Sequence, residues 1–199
     1  SSTSIWLDNN TSKYALFNRN LTSTEISGIG ATEAVWISAL SGVNTISLTV
    51  SGTGTVYWGD GESDVYNGTD VVLPHTFSAV NEPISFVGTL TKIYNVTSSS
   101  KLNHNIASLP TGLTYYLNYG SNTTSGDIAS LPAGLTLYYN EGSNTTSGDI
   151  ASLPTGLTYY VNSGNNTTSG DIASLPTGLT DYRNYGSNTT SGDIASLPT

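Results

Sequence analysis

The chain has 199 residues, five Lys+Arg against fourteen Asp+Glu, a formal net charge of −9, no Cys and no Met; 10% of its residues are charged, against about 25% in an ordinary domain. So acidic a chain is a poor partner for nucleic acid or an anionic membrane, and the absence of Cys excludes disulfide scaffolds, thiolate zinc sites and cysteine nucleophiles. His75 and His104 are the two histidines, and no apolar run approaches the ~20 residues of a membrane helix, so neither a His-rich metal site nor membrane insertion is expected.

The sequence opens at Ser1 with no basic–apolar–small leader pattern, which reads as a removed leader or a fragment. Residues 1–41 form an arm or extra strands. Segments 4–7 and 13–17 read as short strands, and 32–40 as a strand or one helical stretch. The arm is expected to pair with the strands of residues 42–100 or to add a strand to a neighbouring chain.

Apolar and polar residues alternate over 45–51. A second run, 54–58, leads into the Gly59, Asp60, Gly61 turn, and further strands are predicted at 71–77 and 83–95. Short strands at this spacing suggest a β-sandwich over residues 42–100. The W-G-D-G motif at 58–61, the His75, Thr76, Phe77 run and the Ile84–Val87 stretch resemble a PKD-type, immunoglobulin-like domain over about residues 42–96. In such domains a Gly-x-Tyr usually follows; here Asn81, Glu82 and Pro83 stand there. The resemblance implies a spacer or adhesion element with no catalytic role. Asp60, Glu62 and Asp64 alternate after the turn, a candidate Ca²⁺ site without the acidic twelfth position of a full loop; a solvated acidic turn is the other reading. Neither His75 nor His104 has an evident acid or nucleophile partner in the sequence.

From about residue 101 the chain repeats. Ile106, Ile128, Ile150, Ile172 and Ile194 are each 22 residues apart, as are Asp127, Asp149, Asp171 and Asp193, with Asn105 in the first Asp place. The unit reads I-A-S-L-P-T-G-L-T-x-Y-x-N-x-G-S-N-T-T-S-G-D; four units are complete and a fifth is partial. Leu113, Tyr116 and Asn118 and their equivalents do not vary. Between and beside them lie Tyr115/Leu137/Tyr159/Asp181, Leu117/Tyr139/Val161/Arg183 and Tyr119/Glu141/Ser163/Tyr185. Constant and variable positions alternate with the side-chain period of a strand. The constant face is therefore expected inward and the variable face outward. Proline after Leu131 and its equivalents predicts an extended or 3₁₀ return.

The unit resembles a leucine-rich repeat, L-x-x-L-x-L-x-x-N-x-L. Leu113, Tyr116 and Asn118 fall on its inward positions, and the stretch from Asn122 to Ile128 looks like the N-x-L-S-G-x-I of longer repeat types. Tyr, Asn and Thr stand where leucines are usual, which implies a more polar core. Stacking ~4.8 Å apart would place Tyr116, Tyr138, Tyr160 and Tyr182 in one aromatic column and Asn118, Asn140, Asn162 and Asn184 in an amide ladder. The Asp column reads as turn caps or as a row bridged by cations.

Asn-x-Ser/Thr triplets occur at Asn9, Asn10, Asn20, Asn67, Asn95, Asn122, Asn144, Asn165, Asn166 and Asn188, glycosylation candidates in a host that glycosylates; the alternative is that abundant Asn and Thr were copied with the repeat. The fold class is all-β: residues 1–41 an arm, 42–100 a PKD/Ig-like sandwich, 101–199 a leucine-rich-repeat-like β-solenoid. PKD-like modules followed by such repeats resemble surface proteins of Bacteroidota and structural proteins of their phages. The expected function is non-catalytic, extracellular, cell-surface or virion-borne, structural or adhesive, without a required cofactor. The expected partners are copies of itself assembled head-to-tail, or else a glycan or surface protein. The expected contact strip is Tyr115, Leu117, Tyr119, Tyr139, Glu141, Tyr159, Val161, Asp181, Arg183 and Tyr185.

Overall fold

The computed structural model describes residues 35–38, 44–77, 83–95, 102–120 and 122–197. The predicted strands at 4–7 and 13–17 and the triplets at Asn9, Asn10 and Asn20 lie outside these residues. The described residues are all-β, joined in one eleven-stranded hydrogen-bonded sheet, with short 3₁₀ turns as the other regular element.

The N-terminal strands are β1 (Val35–Ser38), β2 (Asn44–Tyr57), β3 (Ser63–Phe77) and β4 (Pro83–Asn95). β2 lies between β3 and β4, antiparallel to both. The sequence predicts separate strands at 45–51 and 54–58; the structure joins them, because the ladder passes through a glycine bend. Gly52, Gly68 and Gly88 have φ of 136°, 137° and 118°, and both β2 pairings shift register at Gly52. A Cβ on Gly52 would overlap the carbonyl of Thr89, and one on Gly88 that of Thr53. Gly88→Ala is therefore expected to cost about 2 kcal/mol of stability through backbone strain, read from the midpoint of urea unfolding.

Tyr66, Phe77, Ile84 and Phe86 on these strands and Trp58 in the β2–β3 turn are buried. The imidazole of His75 stacks flat on Trp58, with centroids 4.4 Å apart and planes 2° from parallel. His75 Nε2 lies 2.8 Å from Asp60 Oδ2, which corrects the expectation of an isolated histidine.

The repeats build the rest. First strands are β6 (Tyr115–Asn118) and the leading parts of β8 (Leu137–Asp149), β9 (Tyr159–Asp171) and β10 (Asp181–Gly186). Second strands are β5 (Leu102–Asn105), β7 (Thr123–Asp127), the trailing parts of β8 and β9, and β11 (Thr189–Ser191). Successive first strands pair in parallel, each residue with its equivalent 22 positions on: Tyr116 with Tyr138, Tyr138 with Tyr160, Tyr160 with Tyr182. A 3₁₀ turn such as Ile128–Ser130 follows each second strand, and Leu131 behind it is extended (φ −62°, ψ 142°), as the proline beyond it requires. One apolar core runs unbroken from Ile46 through Leu113, Ile128 and Tyr138 to Leu179.

The last four residues of β4 belong to both parts. Lys92, Ile93, Tyr94 and Asn95 pair with Tyr115, Tyr116, Leu117 and Asn118 in the parallel register of the repeats. β4 is thus the first rung of the stack, one rung before the repeat that the sequence shows from about residue 101. Strands from both sides of the expected boundary at 100/101 pair in one sheet.

Candidate functional site

Inside the stack, the constant columns hold the units together. Tyr116, Tyr138, Tyr160 and Tyr182 stack at 5.4 Å centroid spacing with planes 13–20° apart. Burial pushes the phenols of Tyr116, Tyr138 and Tyr160 well above their ordinary range, so they stay neutral. At the first end His104 Nε2 lies 2.6 Å from the Tyr116 hydroxyl, both buried. Desolvation lowers the His104 pKa from 6.5 to about 3.

The amide ladder forms at one rung, where Asn118 Nδ2 donates to Asn140 Oδ1 at 3.0 Å. Elsewhere the column turns to its neighbours. Asn140 and Asn162 donate to the hydroxyls of Tyr138 and Tyr160, at 2.9 and 3.1 Å, and Asn162 also to Thr146 Oγ1 at 2.7 Å. The reason is that the tyrosine on the same strand face, two residues back, brings its hydroxyl to the Asn amide.

The Asp column is a row of turn caps. Asp127, Asp149, Asp171 and Asp193 each accept the backbone N–H two residues on at 2.9 Å, as Asn105 does in the first unit.

Most repeat triplets are internal brackets. Asn95, Asn122, Asn144 and Asn166 are fully buried. Asn166 Oδ1 accepts from the Thr146 hydroxyl at 2.8 Å while its Nδ2 donates to the Tyr185 carbonyl at 3.1 Å. A fully buried amide has no room for a sugar in the folded unit, so these four positions are corrected as glycan acceptors. Asn188 is half-buried, and Asn67 and Asn165 are exposed.

The carboxylates of the Trp58 turn serve the turn itself. Asp60 takes His75 and also accepts the Glu62 backbone N–H at 3.0 Å. Asp64 accepts the Trp58 indole N–H at 2.8 Å, and Glu62 lies 3.8 Å from His75 Nδ1. Among the described residues no group of three His, Cys, Asp or Glu is placed to hold a metal ion.

The outer face of the first strands is the candidate site. Parallel pairing sets Lys92, Tyr115, Leu137, Tyr159 and Asp181 in one row and Tyr94, Leu117, Tyr139, Val161 and Arg183 in the next. Tyr119, Glu141, Ser163 and Tyr185 follow the strands as a third row, with Tyr119 43% and Tyr185 55% exposed. Tyr115, Leu117, Tyr139, Glu141, Tyr159 and Asp181 are half-buried, and Arg183 is exposed. Val161 is 1% exposed and drops out of the expected strip, since its short side chain stands in register between the long ones of Tyr139 and Arg183.

Tyr119, Tyr139 and Tyr159 form a diagonal of stacked rings across three units, 6.3 and 6.4 Å apart. Burial first, and then a hydrogen bond to Glu141, raise the Tyr139 pKa. The charges are tied down. Lys92 Nζ lies 2.7 Å from Asp70 and 4.7 Å from the centre of the Tyr115 ring, and Arg183 bonds Asp181 at 2.8 Å. The rows themselves carry two cations and two anions, Lys92 and Arg183 against Glu141 and Asp181, in a protein of net charge −9.

Sequence reasoning missed Lys92 and Tyr94. The signal was present as Leu90-Thr91 followed by Asn95, a copy of Leu113-Thr114 and Asn118. It lies 23 residues upstream, not 22, so a fixed period passes over it.

Fold and face together define an all-β repeat protein. No family model matches the chain, and no curated protein and no solved structure matches it either. No helix among the described residues is long and apolar enough to cross a membrane.

Proposed function

We propose that this is a non-catalytic adhesive or structural module that works outside the cell or on a virion. In this reading residues 42–100 are a PKD-like sandwich unit and the repeats a leucine-rich-repeat-like β-solenoid. The outer face of the first strands is its contact surface for a glycan or a protein. The carrying observation is the contrast between faces. Inward columns are nearly identical from unit to unit, whereas the outward rows differ and concentrate tyrosine. Identical columns are what stacking requires; varied, Tyr-rich, rigidly backed positions suit recognition. Tyr115→Ala and Tyr159→Ala are expected to leave the fold intact and to weaken binding at least tenfold on a panel of glycans and surface proteins. Unchanged binding by both variants would remove the face from the function.

Head-to-tail stacking is a second reading. It would continue between copies the parallel register that already joins β8 to β9 and β9 to β10. An open series of oligomers in sedimentation supports copies; a single species at all concentrations rejects them.

A further inference from the structure

The two paired rows of the outer face are self-complementary. Read along the stack, the first row runs Lys92, Tyr115, Leu137, Tyr159, Asp181, and the second Tyr94, Leu117, Tyr139, Val161, Arg183. Reversing the first row sets Lys92 against Asp181, Tyr115 against Tyr159, and Leu137 against itself. Reversing the second sets Tyr94 against Arg183 and Tyr139 against itself, with Leu117 over the place of Val161, which is buried and makes no contact of its own. Opposite charges meet, a cation meets an aromatic ring, and apolar residues meet apolar residues.

A two-fold axis lying in the plane between two facing copies, parallel to β8, performs this reversal. It keeps each row opposite its own counterpart and inverts the order of the units. We infer that the outer face binds a second copy of this chain, face to face about a two-fold axis over β8. The inference rests on the proposal that this face is the contact surface, and it names the occupant.

Isologous two-fold contacts are the commonest way for identical chains to associate, and two sheets pack about 10 Å apart with their side chains meeting. At each end of the face an existing ion pair meets another. Lys92 with Asp70 would oppose Asp181 with Arg183 of the other copy, giving an alternating quartet. One group opposes the arrangement: Glu141, in the third row, meets its own copy. It sits at the rim, half-buried and bonded to Tyr139. Glu141→Gln is accordingly expected to strengthen association about threefold.

The face spans about 19 Å along the stack and about 13 Å across it, well under the roughly 800 Å² per partner of a standard interface. A weak dimer, with Kd in the tens of micromolar or above, is the expected species.

Charge reversal tests the axis. Lys92→Glu places two anions face to face, and Asp181→Lys places two cations face to face. Each variant alone is expected to weaken self-association at least tenfold in sedimentation equilibrium. Mixed, they restore both opposite-charge contacts and are expected to pair with each other at about the affinity of the unmodified chain. Heterodimer formation also shows that both variants are folded. Leu137→Asp, on the axis, is expected to abolish association with an unchanged circular dichroism spectrum.

A chain that stays monomeric at several hundred micromolar overturns the inference, as does a mixture that fails to pair while the unmodified chain dimerises. If the chain is monomeric but Tyr115→Ala and Tyr159→Ala lose binding to a glycan or another protein, the contact-face reading stands and the two-fold dimer does not. If neither association nor binding responds to any of these variants, both fail.

Discussion

Tyr138→Ala is expected to lower the unfolding free energy by about 4 kcal/mol, the largest effect of any single substitution in the repeats. The ring is fully buried and sandwiched between Tyr116 and Tyr160 at 5.4 Å on both sides. Truncation leaves a cavity bounded by two rigid rings whose backbones are fixed by the parallel ladder, so collapse cannot fill it. It also leaves Asn140 Nδ2 without the Tyr138 hydroxyl it donates to at 2.9 Å. Tyr138→Phe separates these contributions: it keeps the ring and costs about 1–3 kcal/mol for the orphaned donor. Stacked repeats gain stability from nearest-neighbour interfaces, so the alanine variant is also expected to uncouple the rungs on its two sides and to broaden the urea transition. Tyr139→Ala, one residue along and on the outer face, is the control, with an expected loss of less than about 1 kcal/mol. Equal losses at 138 and 139 would mean that the inner column is not the core of the stack.

Acid is expected to destabilise the fold through His104. Desolvation holds its folded pKa near 3, against an ordinary value of 6.5. Above about pH 6.5 the imidazole is neutral in both states and the fold has its full stability. As pH falls below 6.5 the unfolded chain takes up a proton that the folded chain excludes, so stability falls with falling pH. The loss proceeds at up to about 1.4 kcal/mol per pH unit and levels off near pH 3, for a total of at most about 5 kcal/mol. The range from about pH 6 to 4.5 is diagnostic, because carboxylates titrate mostly below it. His104→Gln removes the titration and retains a polar partner for Tyr116. Its stability is expected to be nearly flat over that range in urea titrations, where the unmodified chain slopes. Parallel slopes would assign the acid sensitivity elsewhere.

Much of the repeat architecture was legible because the chain compares itself with itself. The alternation of fixed and varied positions between Leu113 and Tyr119 gives the strand, its inward face and its outward face without any other sequence. The structure places Tyr116 and Asn118 inside and Tyr115 and Tyr119 outside. The proline column narrowed the return to extended or 3₁₀, and the Asp column to turn caps or bridged cations, of which the structure shows the caps. Repetition did not reveal partner choice within the core. An inward Asn has several donors and acceptors in reach, and the Tyr hydroxyl on its own strand competes with the next amide along the stack. For the same reason the Asn-x-Thr triplets read as exposed acceptors, although Asn122, Asn144 and Asn166 are buried brackets. The triplet is a local pattern, and burial is not local.

The N-terminal part was less legible. The stretch around Gly52 read as a break between two strands, because positive φ usually accompanies a turn. Here the Thr89 carbonyl stands where a Cβ on Gly52 would be, and the ladder continues through the bend. His75 finds Asp60 and Trp58 across the β2–β3 hairpin, a meeting that depends on strand register.

By itself, then, the sequence determined that the described residues are all-β, that they stack in 22-residue units, and that Tyr116, Asn118 and their equivalents lie on the inner side of the first strands. These follow from period and chemistry, which are properties of the chain read in order. The tertiary structure alone decided that β4 supplies the first rung, that Lys92 and Tyr94 complete the outer rows, and that β8 lies at the middle of each row. Rows run across strands, so their order is set by which strand lies beside which, and by the one-residue difference in spacing that lets Asn95 pair with Asn118.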